Sequence, residues 1–226
     1  MLRASRRTAL SVTGVLVLAL ALALAGTVVL RGRAEAAAVK RICRTFEHQQ
    51  AVRLREVQGT GRAVTVIGDS WSVGHKLADL SRSWPSRLPG RVTVNGFSGS
   101  GFSARASECG AYSFATRTAS AKGADLVIVE GGLNDYDQSH AAVKAGFERL
   151  LTRLAGKDVV IVGPAPAPRR LRGAQRVDRW LAALAAKHDV RYLSAIHLRL
   201  PYLQDRLHLT AAGHRQFGDW VAAHLS

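Results

Sequence analysis

The sequence predicts an α/β fold, an open and mostly parallel five-stranded sheet with helices on both faces. Three observations carry this. Five short runs rich in Val, Ile and Leu recur from residue 63 onward, and the first is apolar on both faces, as a buried parallel strand is. Helical stretches fall between the runs, so strands alternate with crossovers to parallel neighbours. The chain has 226 residues, and setting aside a leader over residues 1–36 leaves the size of one domain with a full core.

The elements follow in order. Residues 40–57 mix Ile42, Phe46 and Leu54 with charged residues and predict a helix lying on the body, broken by Gly59, Thr60 and Gly61. The first strand is read at 63–67, bounded by glycine, and the others at 91–95, 125–130, 158–162 and 190–193. The clearest helices are 141–154 and 173–188. No internal repeat or low-complexity linker follows residue 61. The organisation is a targeting or anchoring segment over 1–36, a helical lead-in over 37–61 and one domain over 62–226.

Arg3, Arg6 and Arg7 precede 22 uncharged, mostly Leu, Ala and Val residues over 9–30. A cleavable export signal, with Ala34-Glu35-Ala36 as the small-residue cleavage site, fits this pattern. So does an uncleaved membrane anchor, since the run is long enough to span a bilayer. Either places the domain outside the cytoplasm, secreted or tethered through residues 9–30. Cys43 and Cys109 are the only cysteines, and in an exported protein such a pair is expected as a disulfide, with two separate thiols as the alternative. Neither has metal-ligand spacing, and no cofactor or metal is expected.

The formal charge is +16, of which residues 1–36 supply five arginines and one glutamate. The remaining excess would suit anionic polymers or lipids. The arginines are scattered, with no basic stripe and no interleaved aromatics, so no nucleic-acid partner is expected.

An open α/β sheet places its site beyond the carboxyl ends of its strands. Those exits hold the unusual residues of this chain: Gly68-Asp69-Ser70, Asn95-Gly96-Phe97-Ser98-Gly99 and Gly131-Gly132-Leu133-Asn134-Asp135, with Asp205-Arg206-Leu207-His208 in the last loop. The set suits acyl transfer. A serine hydroxyl needs a base to take its proton and a carboxylate to orient that base, and the developing oxyanion needs donors. Ser70 on the first turn, His208 as base and Asp205 three residues before it meet the first need. The Gly99 backbone N–H and the Asn134 amide meet the second.

These blocks resemble, in order and spacing, the four motifs of the SGNH hydrolases, also called GDSL esterases, over residues 62–226. The resemblance implies a flavodoxin-like three-layer α/β/α sandwich, Ser70 as nucleophile and an Asp205–His208 pair. It implies an oxyanion hole formed by the Ser70 and Gly99 backbone N–H groups and the Asn134 amide. Gly96 competes with Gly99 for that assignment. Where relatives often carry proline after the threonine of the last motif, this chain has Thr210-Ala211, and Thr210 can still cap the helix.

Other residues receive plainer readings. Asp69 and Asp135 are expected as structural hydrogen-bonding groups, and His75 and His214 as exposed histidines. Trp71 and Phe97 are candidates for lining an acyl or alcohol pocket, and Trp84 is read as packing. The run Gly163-Pro164-Ala165-Pro166-Ala167-Pro168 is expected to form a stiff cleft wall. Phe217, Trp220 and Val221 repeat at helical spacing and should pack the last helix on the sheet. The glycines at 96, 99 and 101 follow the second strand without the spacing or acidic partner of a dinucleotide loop.

The reading is an exported serine esterase acting on a small-molecule or cell-envelope ester. Two alternatives remain: an acyltransferase or carbohydrate O-acyl esterase of the envelope, and a catalytically idle envelope-binding module.

Overall fold

A computed structural model describes the backbone of residues 4–225 and the side chains of residues 17, 20 and 26–225. The chain divides into two compact units, residues 1–43 and 44–226. The first unit is helical throughout its described residues. The leader expected over 1–36 has most of its apolar side chains outside the described residues. Among the described residues, no helix is long and apolar enough to cross a membrane.

Helix α1 runs Ala4–Arg55 and so ends close to the predicted lead-in boundary. In the second unit, strands β1 (Ala63–Gly68), β2 (Arg91–Gly96), β3 (Leu126–Glu130), β4 (Asp158–Val162) and β5 (Arg191–Leu193) form one sheet. All pairs are parallel, in the order β2-β1-β3-β4-β5. The sheet is the doubly wound one expected. Between β1 and β3 the strand order reverses, which opens a crevice beyond their carboxyl ends.

Alternate residues of the strands serve the two faces. Val64, Val66, Ile128 and Val160 pack with Trp71, Trp84, Phe217 and Val221 on one side. Ile67, Val127, Val129 and Ile161 pack with Phe147, Leu150, Val177 and Leu181 on the other. Helices α3 (His140–Arg153) and α4 (Leu171–Lys187) cover the second face, and α5 (Ala211–Ala223) covers the first. Thr210 caps α5 by accepting the Gly213 N–H at 3.1 Å, as its sequence position suggested.

Three plainer readings are corrected. His214 is buried, because it shares the inward stripe of α5 with Phe217 and Val221 at i+3 and i+7. Phe97 is fully buried and stacks on Tyr112 at 3.8 Å between centroids. Ala165 and Ala167 of the proline run sit in the core beside the sheet. Trp84 packs as expected and also donates from Nε1 to Ser72 Oγ at 3.1 Å.

One buried cation organises the strand exits. Arg117, in a 3-10 helix over Phe114–Ala121, is 7 % exposed. Its guanidinium donates to Gly68 O at 2.8 Å, to Ser100 Oγ at 3.0 Å, to Asn95 Oδ1 at 3.0 Å and to Asn95 O. Burial pulls its pKa down to about 9, opposed by Asp69, so it stays charged at neutral pH.

Two outcomes follow. Arg117→Lys cannot reach four acceptors from one ammonium and should lower unfolding stability in urea by about 3 kcal/mol. Both cysteines are disulfide-bonded. Alkylation of native material before intact-mass analysis should therefore label no thiol. Reduction should lower the melting temperature, since losing a native disulfide typically costs about 2–5 kcal/mol.

Candidate active site

The crevice beyond β1 and β3 holds a cavity of about 170 Å³ lined by Phe46, Ser70, Trp71, His75, Ser98, Gly99, Leu133, Asn134, Arg170, Leu207 and His208. Four of the five residues expected at a reaction centre line it, and Asp205 stands directly behind His208.

Ser70 opens helix α2 (Ser70–Val73), a single turn entered straight from β1. Asp69 caps it by accepting the Trp71 N–H at 2.9 Å, and Gly74 ends it at φ +84°. The backbone thus turns sharply after the strand, leaving Ser70 at the cavity and only 8 % exposed. The glycines of the second exit divide the work. A Cβ on Gly96 would stand 2.4 Å from Val73 N, so that glycine lets α2 pack on β2. Gly99, at φ +84° and free of close neighbours, is the one that lines the cavity.

The last loop is folded by its own backbone. Leu203 N donates to His208 O, and Thr210 N to Pro201 O. Asp205 Oδ1 accepts the N–H groups of Leu207 and His208, each at 3.0 Å, while Oδ2 meets His208 Nδ1 at 2.7 Å. Trp71 Nε1 donates to Leu207 O at 3.2 Å and ties this loop to the Ser70 turn. Burial lowers the His208 pKa, and the hydrogen bond and charge of Asp205 oppose it. Burial would raise the Asp205 carboxyl, but the Lys76 and His208 bonds outweigh it and hold Asp205 far below the usual carboxylate range. Among the described residues no hydrogen bond joins Ser70 to His208, although both line the same cavity.

Asn134 is held on three sides. Its amide donates to Ser100 O at 2.8 Å and Asp69 Oδ2 at 3.1 Å, while its oxygen accepts from Arg170 at 2.6 Å. Asp69 and Asp135 are structural as expected, Asp135 accepting the N–H groups of Phe102 and Ser103. Burial raises both carboxyls, Asp135 to about 7.

His75 is the main surprise. Its sequence position suggests a surface histidine, yet it lines the cavity with its ring 5.2 Å from that of His208. Its Nδ1 lies 3.2 Å from Gln49 Oε1, and burial lowers its pKa to about 4. Sequence reasoning also missed Arg170, Lys76 and Phe46. The arginine and the lysine are lost among many other cations, and Phe46 reads as one apolar residue of an amphipathic helix. Among the described residues no cluster of His, Cys, Asp or Glu could hold a metal ion.

Solved structures share the fold. A carbohydrate acetylesterase from Sinorhizobium meliloti superposes with a TM-score of 0.62 at 18% identity, over 73% of this chain and 98% of its own. An aryl esterase from M. smegmatis does so with 0.59 at 19%, over 73% and 98%. A family two carbohydrate esterase from Clostridium thermocellum, in complex with cellohexaose, gives 0.57 at 14%, over 74% and 64%. No curated protein matches the chain. The GDSL-like lipase/acylhydrolase family profile matches residues 66–216. The chain, an ester-hydrolysing enzyme of the SGNH type, belongs to that family.

Proposed function

We propose that the chain is an exported serine esterase that cleaves a carboxylic ester through an acyl-enzyme on Ser70. The observation that carries this reading is the 2.7 Å His208–Asp205 bond beside Ser70 in one cavity. In the first step His208 Nε2 takes the Ser70 proton as Oγ bonds to the ester carbon. The tetrahedral intermediate then collapses, and the alcohol leaves with that proton. Water repeats the sequence, regenerating Ser70 and releasing the acid. Asp205 keeps the proton of the neutral imidazole on Nδ1, so that Nε2 is the free base.

The oxyanion would meet the backbone N–H groups of Ser70 and Gly99 and the Asn134 amide. Both amide hydrogens of Asn134 are engaged internally, so the intermediate would share or displace the bond to Ser100 O or Asp69. Arg170 on the amide oxygen fixes which way the NH₂ faces. The substrate class we assign is a small or carbohydrate-borne acyl ester, supported by the carbohydrate esterases among the structural neighbours. The basic segment and apolar run at the N-terminus, together with the disulfide, support export.

A fluorophosphonate probe should label wild-type enzyme and fail on Ser70→Ala, which should also lose ester hydrolysis; labelling of the alanine variant would overturn the assignment. For the base, kcat/KM should rise with pH as His208 loses its proton, with a midpoint below about 6.5, the ordinary imidazole value. Asp205→Asn should cost about 10³–10⁴ in rate. Asn134→Ala should lower kcat by about 10²–10³ while raising KM little, since an oxyanion donor acts chiefly as charge develops. Near-normal kcat with lost thermal stability would make Asn134 structural only.

A further inference from the structure

Lys76 lies outside every motif yet touches the centre of the site. Its Nζ is 2.5 Å from Asp205 Oδ2, the same oxygen that meets His208 Nδ1. The Asp205 carboxylate therefore has all its work assigned: Oδ1 to two backbone N–H groups, Oδ2 to an imidazole and an ammonium. Lys76 follows the short α2 turn and adopts φ +72°, a left-handed backbone that a non-glycine residue holds only where its surroundings fix it. That conformation and the ion pair together point its side chain across to the last loop.

We propose that Lys76 is a positioning residue for the base. Its ammonium holds Asp205 Oδ2 against rotation and takes up part of the carboxylate charge. The esterase therefore works in more acidic medium than the His208–Asp205 pair alone would allow. This rests on the reading of Ser70, His208 and Asp205 as one catalytic unit.

The direction follows from charge. The Asp205 carboxylate favours the imidazolium and so raises the midpoint of His208, whereas a cation beside that carboxylate opposes it. The charged and titratable groups facing His208 are Asp205, Lys76, Arg170, His75 and His214. His75 and His214 are both lowered to about 4 by burial and are neutral at neutral pH. Arg170 is committed to Leu133 O and Asn134 Oδ1. Lys76 is the cation bonded to the pair itself, and its side chain is 44% exposed, so salt can screen it.

The test uses the full chain as wild type, Lys76→Met and Lys76→Arg, with two readouts: the His208 ring titration by NMR and the acid limb of kcat/KM. In Lys76→Met both midpoints should move up by about 0.5–1 pH unit, and Lys76→Arg should restore them toward wild type. Raising salt should move the wild type the same way, a measurement that needs no variant to fold, and should move Lys76→Met less. A His208 midpoint that stays fixed or falls in Lys76→Met overturns the proposal, and so does a uniform loss of activity with no shift. Failure of the esterase reading looks different: Ser70→Ala keeps wild-type hydrolysis, whatever the His208 titration shows.

Discussion

The buried guanidinium of Arg117 is the constraint on which the site depends. Parallel strands end with carbonyls pointing into the crevice, where no further strand residue can satisfy them. Arg117 takes Gly68 O at the exit of β1 and the backbone and side-chain oxygens of Asn95 near the end of β2, then reaches Ser100 Oγ beyond Gly99. Ser70 and Gly99, two residues apart from these anchors or closer, are thereby held in one frame. A planar fork with several donors suits this task, where a lysine would serve as a point charge.

Around that frame the site alternates charges that compensate one another. Asp69 lies between the Trp71 N–H and the Asn134 amide, and Arg170 closes the far side of that amide. Ser72 donates to the buried Glu130 at 2.6 Å, directly beneath the turn that carries Ser70. Burial raises Glu130, with the charge of Asp69 adding to the effect. Asp69 and Arg170, which fix Asn134 at the cavity, are thus held by partners of their own.

The lead-in helix shows how structure extends what the motifs mark. Gln50 donates to Asn95 Oδ1 at 2.7 Å and Arg53 is fully buried against Ser83, so the end of α1 is welded to the sheet exit. Phe46 one to two turns earlier then becomes part of the cavity wall, packing edge-on against His75 at 5.4 Å. Phe46, outside the family match at 66–216, thus lines the candidate cavity.

The sequence by itself determined the sheet, its strands to within a residue or so, and the exits where Ser70, Gly99, Asn134, Asp205 and His208 gather. These were legible because strand burial imposes continuous apolar runs and because sharp exits need glycine and capping residues, both local signals. Only the tertiary structure decided that His75 and Phe46 face the cavity and that His214 is buried. It alone decided that Arg117 pins the exits, and that Lys76 shares an oxygen with His208. Lys76 and Asp205 are 129 positions apart, and Arg117 and Gly68 are 49 apart. A charge on a scattered basic background carries no local mark of its partner; the partner is set by which strand ends the fold brings side by side.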